Sequence, residues 1–139
     1  MPYDPQNVFA KILRRELPCI KLYEDEQTLA FMDLMPQTEG HALIIPKEEA
    51  AMIFELSPAS LAATMLVTQK IAKAVRKAFD VPGVLIVQAN GEAAMQSVPH
   101  LHFHVIPRRN CEIMRLHAAV QEDQEKLEQS AAQIIAALE

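Results

Sequence analysis

Tryptophan is absent from this 139-residue chain, glycine occurs three times and cysteine twice. Each scarcity removes a class of protein. Cys19 and Cys111 stand far apart and form no Cys-x-x-Cys pair, so neither a disulfide framework nor a cysteine-built zinc site is supported. Glycine is confined to Gly40, Gly83 and Gly91, so no GxGxxG turn and no P-loop can be written, which excludes nucleotide sites of those two kinds. No run approaches the ~18 apolar residues that span a bilayer. The opening MPYDPQNVFAKILRRELP lacks a charged stretch followed by an apolar core, so no secretory signal is expected and cytoplasmic residence is. Net charge is −5, from 13 Lys and Arg against 18 Asp and Glu. That balance argues against nucleic acid and anionic membrane as partners.

Half the residues are hydrophobic and 22% are charged, which is too apolar for disorder and ordinary for a packed protein. A chain this long buries roughly 70% of its extended surface without a metal or disulfide staple. No linker, repeat or low-complexity tract divides it, so one domain over residues 1–139 is expected.

The pattern predicts a short helix over Asn7 to Arg14, with Phe9, Ile12 and Leu13 on one side. A hairpin follows, Ile20 to Glu24 and Thr28 to Asp33 about Asp25-Glu26-Gln27. His41 to Pro46 is a buried strand stopped by a proline. Ser57-Pro58 starts a long helix, with a hydroxyl N-cap and proline at the first helical position. Leu61, Met65, Ile71, Val75 and Phe79 form its apolar stripe, while Lys70, Lys73 and Lys77 form a solvated one. Val84 to Asn90 and Ser97 to Ile106 are the last strands, the second closed by Pro107. A terminal helix, about 119–138, aligns Leu127, Ala131, Ile134, Ile135 and Leu138. Strands joined by short turns pair antiparallel, so the fold class is α+β with a mostly antiparallel five-stranded sheet, a long central helix and a C-terminal helix.

Chemistry concentrates in Gln96-Ser-Val-Pro-His100-Leu-His102-Phe-His104-Val-Ile-Pro107. Side chains two apart on a strand share a face, so the three imidazoles are expected to project together, with Leu101, Phe103 and Val105 on the packed side. A merely solvated face explains one strand histidine well and three in register poorly, since every ring brings two nitrogens that need partners. Two functional readings remain. Imidazole is a common metal ligand, but the outer pair stands roughly 7 Å apart on a straight strand, and no neighbouring Asp or Glu completes a ligand set. Alternatively, a neutral imidazole is a nucleophile near pH 7, and its neighbours can orient it, supply protons and stabilise phosphoryl charge, with Ser97 and the backbone N–H groups of 96–98 as further donors.

The stretch resembles the His-x-His-x-His motif of the histidine triad (HIT) family. Val8 to Pro18, Tyr23-Glu-Asp25, Leu29 to Asp33, Pro36-Gln37 and Gly40 to Lys47 are similar to its bacterial branch, so the likeness covers about residues 7–108. It implies a homodimer whose sheets join, and hydrolase or transferase activity on purine nucleotides without a cofactor. Phosphoramidates and other AMP conjugates lead as substrates. Dinucleoside polyphosphates, or a non-catalytic nucleotide-binding module, are the alternatives.

By the same resemblance His102 is the nucleophile that forms a nucleotidyl-histidine. His100 orients it through its backbone carbonyl, and His104 binds the phosphoryl group or assists the leaving group. Asp33, with Leu34 beside it, holds the ribose hydroxyls. Phe9, Ile12 and Phe31 line the slot for the base, although plain core packing explains them equally well. Asn90 and Ser97, with the Gln96 backbone, sit on the phosphate side, and His41 is the fourth histidine, a partner standing behind the triad; a turn cap before Gly91 is the alternative for Asn90, and a satisfied half-buried histidine explains His41 almost as well. Two positions depart from the family pattern. Ala10 replaces a cysteine of a structural zinc site, so no such metal is expected. Met95 replaces a small glycine, which puts substrate choice in question.

Overall fold

The computed structural model describes residues 1–113 and 120–139. Helix α1 (Val8–Leu13) opens the ordered elements, capped by the Asn7 side chain, which accepts the Ala10 N–H at 2.9 Å. Strands β1 (Lys21–Glu24), β2 (Thr28–Met32) and β3 (Ala42–Pro46) follow. Helix α2 (Pro58–Phe79) starts as its sequence dictates, with Ser57 accepting the Ser60 N–H and Pro58 in the first turn, where its missing donor costs nothing. Then come β4 (Gly83–Val87), β5 (Phe103–Arg108) and α3 (Gln124–Ala137). The strands form one five-stranded sheet in the order β1-β2-β3-β5-β4, with every neighbouring pair antiparallel.

The period of two splits the sheet's apolar residues between two cores. Ala30, Met32, Ala42, Ile44, Phe103 and Val105 face Val67, Ile71 and Val75 of α2 and Leu127, Ala131 and Ile134 of α3. Leu29, Phe31, Leu43 and Ile45 face the other way and pack with Phe9, Ile12 and Leu13 of α1. Every residue of β2 and β3 is buried as a result. The α1 side holds the site.

Several boundaries differ from the sequence reading. The last strand starts at Phe103 and not at Ser97. Pro99 has no N–H and restricts Val98. The Leu101 N–H goes to the Ala50 carbonyl, and pairing with β3 begins only at Ile44↔Phe103. That strand also runs through Pro107 to Arg108. Its ladder with β3 ends at Ala42↔Val105, and Pro107 pairs with Val84 on β4 alone, so no donor is missed. Strand β4 stops at Val87.

The helix faces shift too. Met65 is 41% exposed, and the buried face of α2 carries Ser60, Thr64 and Thr68. The two threonine hydroxyls donate to carbonyls four residues back, which is what lets them be buried. In α3, Ile135 turns outward at 47% exposure beside a fully buried Ile134. The start of the expected terminal helix, at 119, lies outside the described residues. Among the described residues no helix is long and apolar enough to cross a membrane.

Candidate active site

The histidines reach the α1 side by different routes. His104 lies on β5, opposite Leu43 of β3 and Val87 of β4. His102 and His100 lie in the irregular chain just before the strand. His41 immediately precedes β3, and Asp33 immediately follows β2; the Asp33 N–H donates to the His41 carbonyl at 3.1 Å, so the hairpin sets these two side by side.

Backbone partners fix each ring's tautomer, because a carbonyl can only accept and a backbone N–H can only donate. His102 Nδ1 lies 2.7 Å from the His100 carbonyl, so its proton is on Nδ1 and its lone pair on Nε2. His100 Nε2 lies 2.8 Å from the Pro46 carbonyl and carries the proton; its Nδ1 accepts the Tyr3 hydroxyl at 2.8 Å. His41 Nδ1 accepts the Gln37 N–H at 2.9 Å, so His41 is protonated on Nε2. That Nε2–H donates to His104 Nδ1 at 2.9 Å, which places the proton of a neutral His104 on Nε2. The rings of His102 and His104 have centroids 5.0 Å apart, and Phe9 meets His102 edge-on at 4.9 Å.

Burial favours the neutral form of His41, His100 and His102. His102 is pushed down to about 4 by desolvation, against the support of the His100 carbonyl, with His104 and His100 adding to the depression. His41 falls to about 3 through burial and then the neighbouring His104 and His102. His100 is lowered by burial as well. Asp33 rises to about 6 because burial outweighs the Met35 N–H that its Oδ1 accepts at 2.9 Å.

These groups border a cavity of about 350 Å³, within the usual range for small-ligand sites. The structure brings to its wall His102, His104, His41, Asp33, Leu34, Gln96, Ser97, Phe9, Ile12 and Phe31. No Lys or Arg is among the described residues that line it. Two expected positions are not on the wall. His100 is fully buried between Tyr3 and Pro46; it stays on the α1 side, where Phe9 meets both it and His102 while Leu101, Phe103 and Val105 join the opposite core, but it lies behind the wall. Asn90 uses its carboxamide on the Ile53 N–H and on the Gln88 side chain. Gln96 reaches the wall, but its side chain ties the loop together, accepting from Gly91 and donating to Ala51 and Val98. Its own N–H is taken by the Gly91 carbonyl and is not a donor toward the cavity.

Met95 also lines the cavity, half exposed, with φ +69 in the left-handed region after a 3-10 turn over Glu92–Ala94. That backbone suits glycine, which explains why a side chain here stands out. Tyr3 and Gln37 were not found from sequence. A lone tyrosine at a chain end carries no pattern, and Gln37 acts through its backbone.

Asp33, His41 and His104 bring one donor atom each within 4.8 Å of the others. The fold thus supplies a carboxylate that the sequence did not show near the triad. The hydrogen bonds nevertheless oppose coordination. A ligating nitrogen must offer a lone pair, whereas His41 Nε2 holds the ring's only proton once Nδ1 accepts from Gln37. The arrangement instead offers an imidazole lone pair, backed by a string of oriented N–H donors, beside an apolar slot. Such a site can carry out nucleophilic attack on an electrophile held in the slot.

The HIT domain model matches residues 14–111, and the chain belongs to the histidine triad family. It is 43% identical over 103 residues to the adenosine 5'-monophosphoramidase hnt1 of Schizosaccharomyces pombe, covering 74% of each chain. It is 41% identical over 101 residues to the Protein hit of Bacillus subtilis, covering 73% of this chain and 70% of that one. A crystal structure of a Hit-like protein involved in cell-cycle regulation from Bartonella henselae superposes with a TM-score of 0.92 at 42% identity, covering 99% of this chain and 100% of the other.

Proposed function

We propose that this chain hydrolyses purine nucleoside phosphoramidates or related AMP conjugates through a nucleotidyl-histidine, with no metal in the chemistry. The observation that carries the reading is the 2.7 Å bond from His102 Nδ1–H to the His100 carbonyl, which leaves the nucleophilic lone pair on Nε2. His102 Nε2 attacks the α-phosphorus and the bond to the leaving amine breaks. His104, its proton set on Nε2 by His41, donates to the phosphoryl oxygens as charge builds on them. Water then supplies the hydroxyl to phosphorus and, in net, a proton to the amine, releasing AMP and restoring His102.

The apolar side chains of Phe9, Ile12 and Phe31 suit a purine, and Asp33 suits its ribose hydroxyls. The likeness to an adenosine 5'-monophosphoramidase supports the amidate as substrate. A homodimer joined through β4 fits the exposed Leu85 and Ile86 on that edge strand, since unpaired apolar edges favour strand addition.

The test is a panel of AMP derivatives that differ only in leaving group, with and without EDTA. AMP is released fastest from the amidate, the chelator changes nothing, and His102→Ala lowers turnover by at least roughly 1,000-fold while the chain stays folded. Undiminished turnover in His102→Ala would falsify the nucleophile assignment. Activity lost to EDTA and regained with zinc would overturn the metal-free chemistry.

A further inference from the structure

One proton in this site has a hydrogen-bonded acceptor and a carboxylate oxygen standing close by. His41 Nε2–H lies 2.9 Å from His104 Nδ1 and 3.4 Å from Asp33 Oδ2. The rest of the geometry leaves it no other choice. His41 Nδ1 is occupied by the Gln37 N–H, and Asp33 Oδ1 by the Met35 N–H, so Oδ2 is the carboxylate oxygen turned toward the ring. Both residues are anchored in the sheet: Asp33 N–H pairs with the His41 carbonyl, and His104 pairs with Leu43, two residues beyond His41. The competition is therefore built into neighbouring strands.

We infer that Asp33 is a positioning residue that couples ribose occupancy to the phosphoryl-binding histidine, through the proton it shares with His41. This rests on the hydrolase reading above, which puts ribose hydroxyls on Asp33. In the empty site the carboxylate draws the His41 proton partly toward itself. A charged acceptor competes well even at the longer distance, because hydrogen bonds to ionised groups are about twice as strong as neutral ones. Hydroxyls donating to Oδ2 spend its acceptor capacity. The His41 proton is then committed to His104 Nδ1, and His104 keeps its own proton on Nε2 for the phosphoryl oxygens. The ribose thus contributes to the chemical step as well as to binding, which is how binding energy remote from the reacting atoms raises kcat.

The test is a cycle between protein and substrate. An AMP amidate is compared with its 2',3'-dideoxy analogue on the unaltered chain and on Asp33→Asn. Removing the hydroxyls is expected to lower kcat about tenfold on the unaltered chain, the size of a redirected charge-assisted hydrogen bond, and to leave kcat unchanged on Asp33→Asn. If the whole cost falls on KM, or if Asp33→Asn keeps the kcat difference, Asp33 only binds and the inference fails. Should Asp33→Asn not fold, the two substrates on the unaltered chain still decide it.

A second readout needs no turnover. With ¹⁵N-labelled histidine, AMP is expected to shift His104 Nδ1 further toward a hydrogen-bonded acceptor, and 2',3'-dideoxy-AMP is not. Equal shifts from both ligands overturn the coupling. This arm stands even if no AMP derivative is hydrolysed, so failure of the hydrolase reading and failure of the coupling are told apart.

Discussion

The Tyr3 hydroxyl donates to His100 Nδ1 at 2.8 Å, joining the start of the chain to the histidine whose carbonyl orients His102. The two rings lie 5.5 Å apart, and Phe9 of α1 sits 6.4 Å from His100 on its own approach. His100 thereby has both nitrogens satisfied inside the protein. Tyr3→Phe keeps the ring and deletes the donor, leaving a buried acceptor unpaired. Unfolding stability is expected to fall by about 1–2 kcal/mol. Urea denaturation checks this; an unchanged midpoint would mean that water replaces the hydroxyl at no cost.

Gly40 couples the β2–β3 turn to the far end of α2. Its φ is +91, and a Cβ there would overlap the Phe79 ring. Gly40→Ala therefore adds backbone strain to a steric clash, for an expected loss of about 2–4 kcal/mol. Because His41 is the next residue, the same change should disturb its bond to His104. Thermal unfolding measures the first effect and histidine NMR the second. A variant as stable as the parent would mean that Phe79 moves aside freely.

Stability is expected to rise as pH climbs from about 4 to 6.5. His41 and His102, lowered to about 3 and about 4 from 6.5, stay neutral when folded and take up protons when unfolded across this window. Their contribution is complete above 6.5 and is lost as pH falls. Asp33, raised to about 6 from 3.8, acts in the opposite sense: its contribution is complete below 3.8 and is lost as pH rises through 6. Two histidines outweigh one carboxylate, for a net gain on the order of 3–5 kcal/mol. Urea titrations at about pH 4.5, 5.5 and 6.5 would show it. A flat profile would mean that the rings reach solvent in the folded protein.

Much of the architecture was legible because it depends on local chemistry. Ser57 announces its helix through a side-chain cap, and the near-continuous apolar runs of β2 and β3 mark strands with two buried faces. What was not legible depends on partners distant in sequence. The alternating histidines do share the α1 side, but Pro99 and the Leu101–Ala50 bond end the ladder before His100, which lies buried behind the cavity wall. Nothing near Gln96 in sequence shows that its carboxamide serves the loop, and nothing near Asn90 shows that its partner is the distant Ile53 N–H. Thr64 and Thr68 are missing from the apolar stripe read off the sequence, because their hydroxyls find carbonyls only once the helix exists. Met95 was noticed as a departure from the family pattern, and its positive φ supplies the reason.

Consecutive residues of β3 serve opposite masters, Ile44 the helical layer and Ile45 the α1 side. A one-residue slip of that strand would exchange the two sets at a stroke, turning Ala42 and Ile44 toward the cavity and carrying His41 out of reach of His104. No gradual loosening leads there. The geometry of the site is inherited whole from the pairing of the central strands, so it should melt as one cooperative unit with them and never ahead of them.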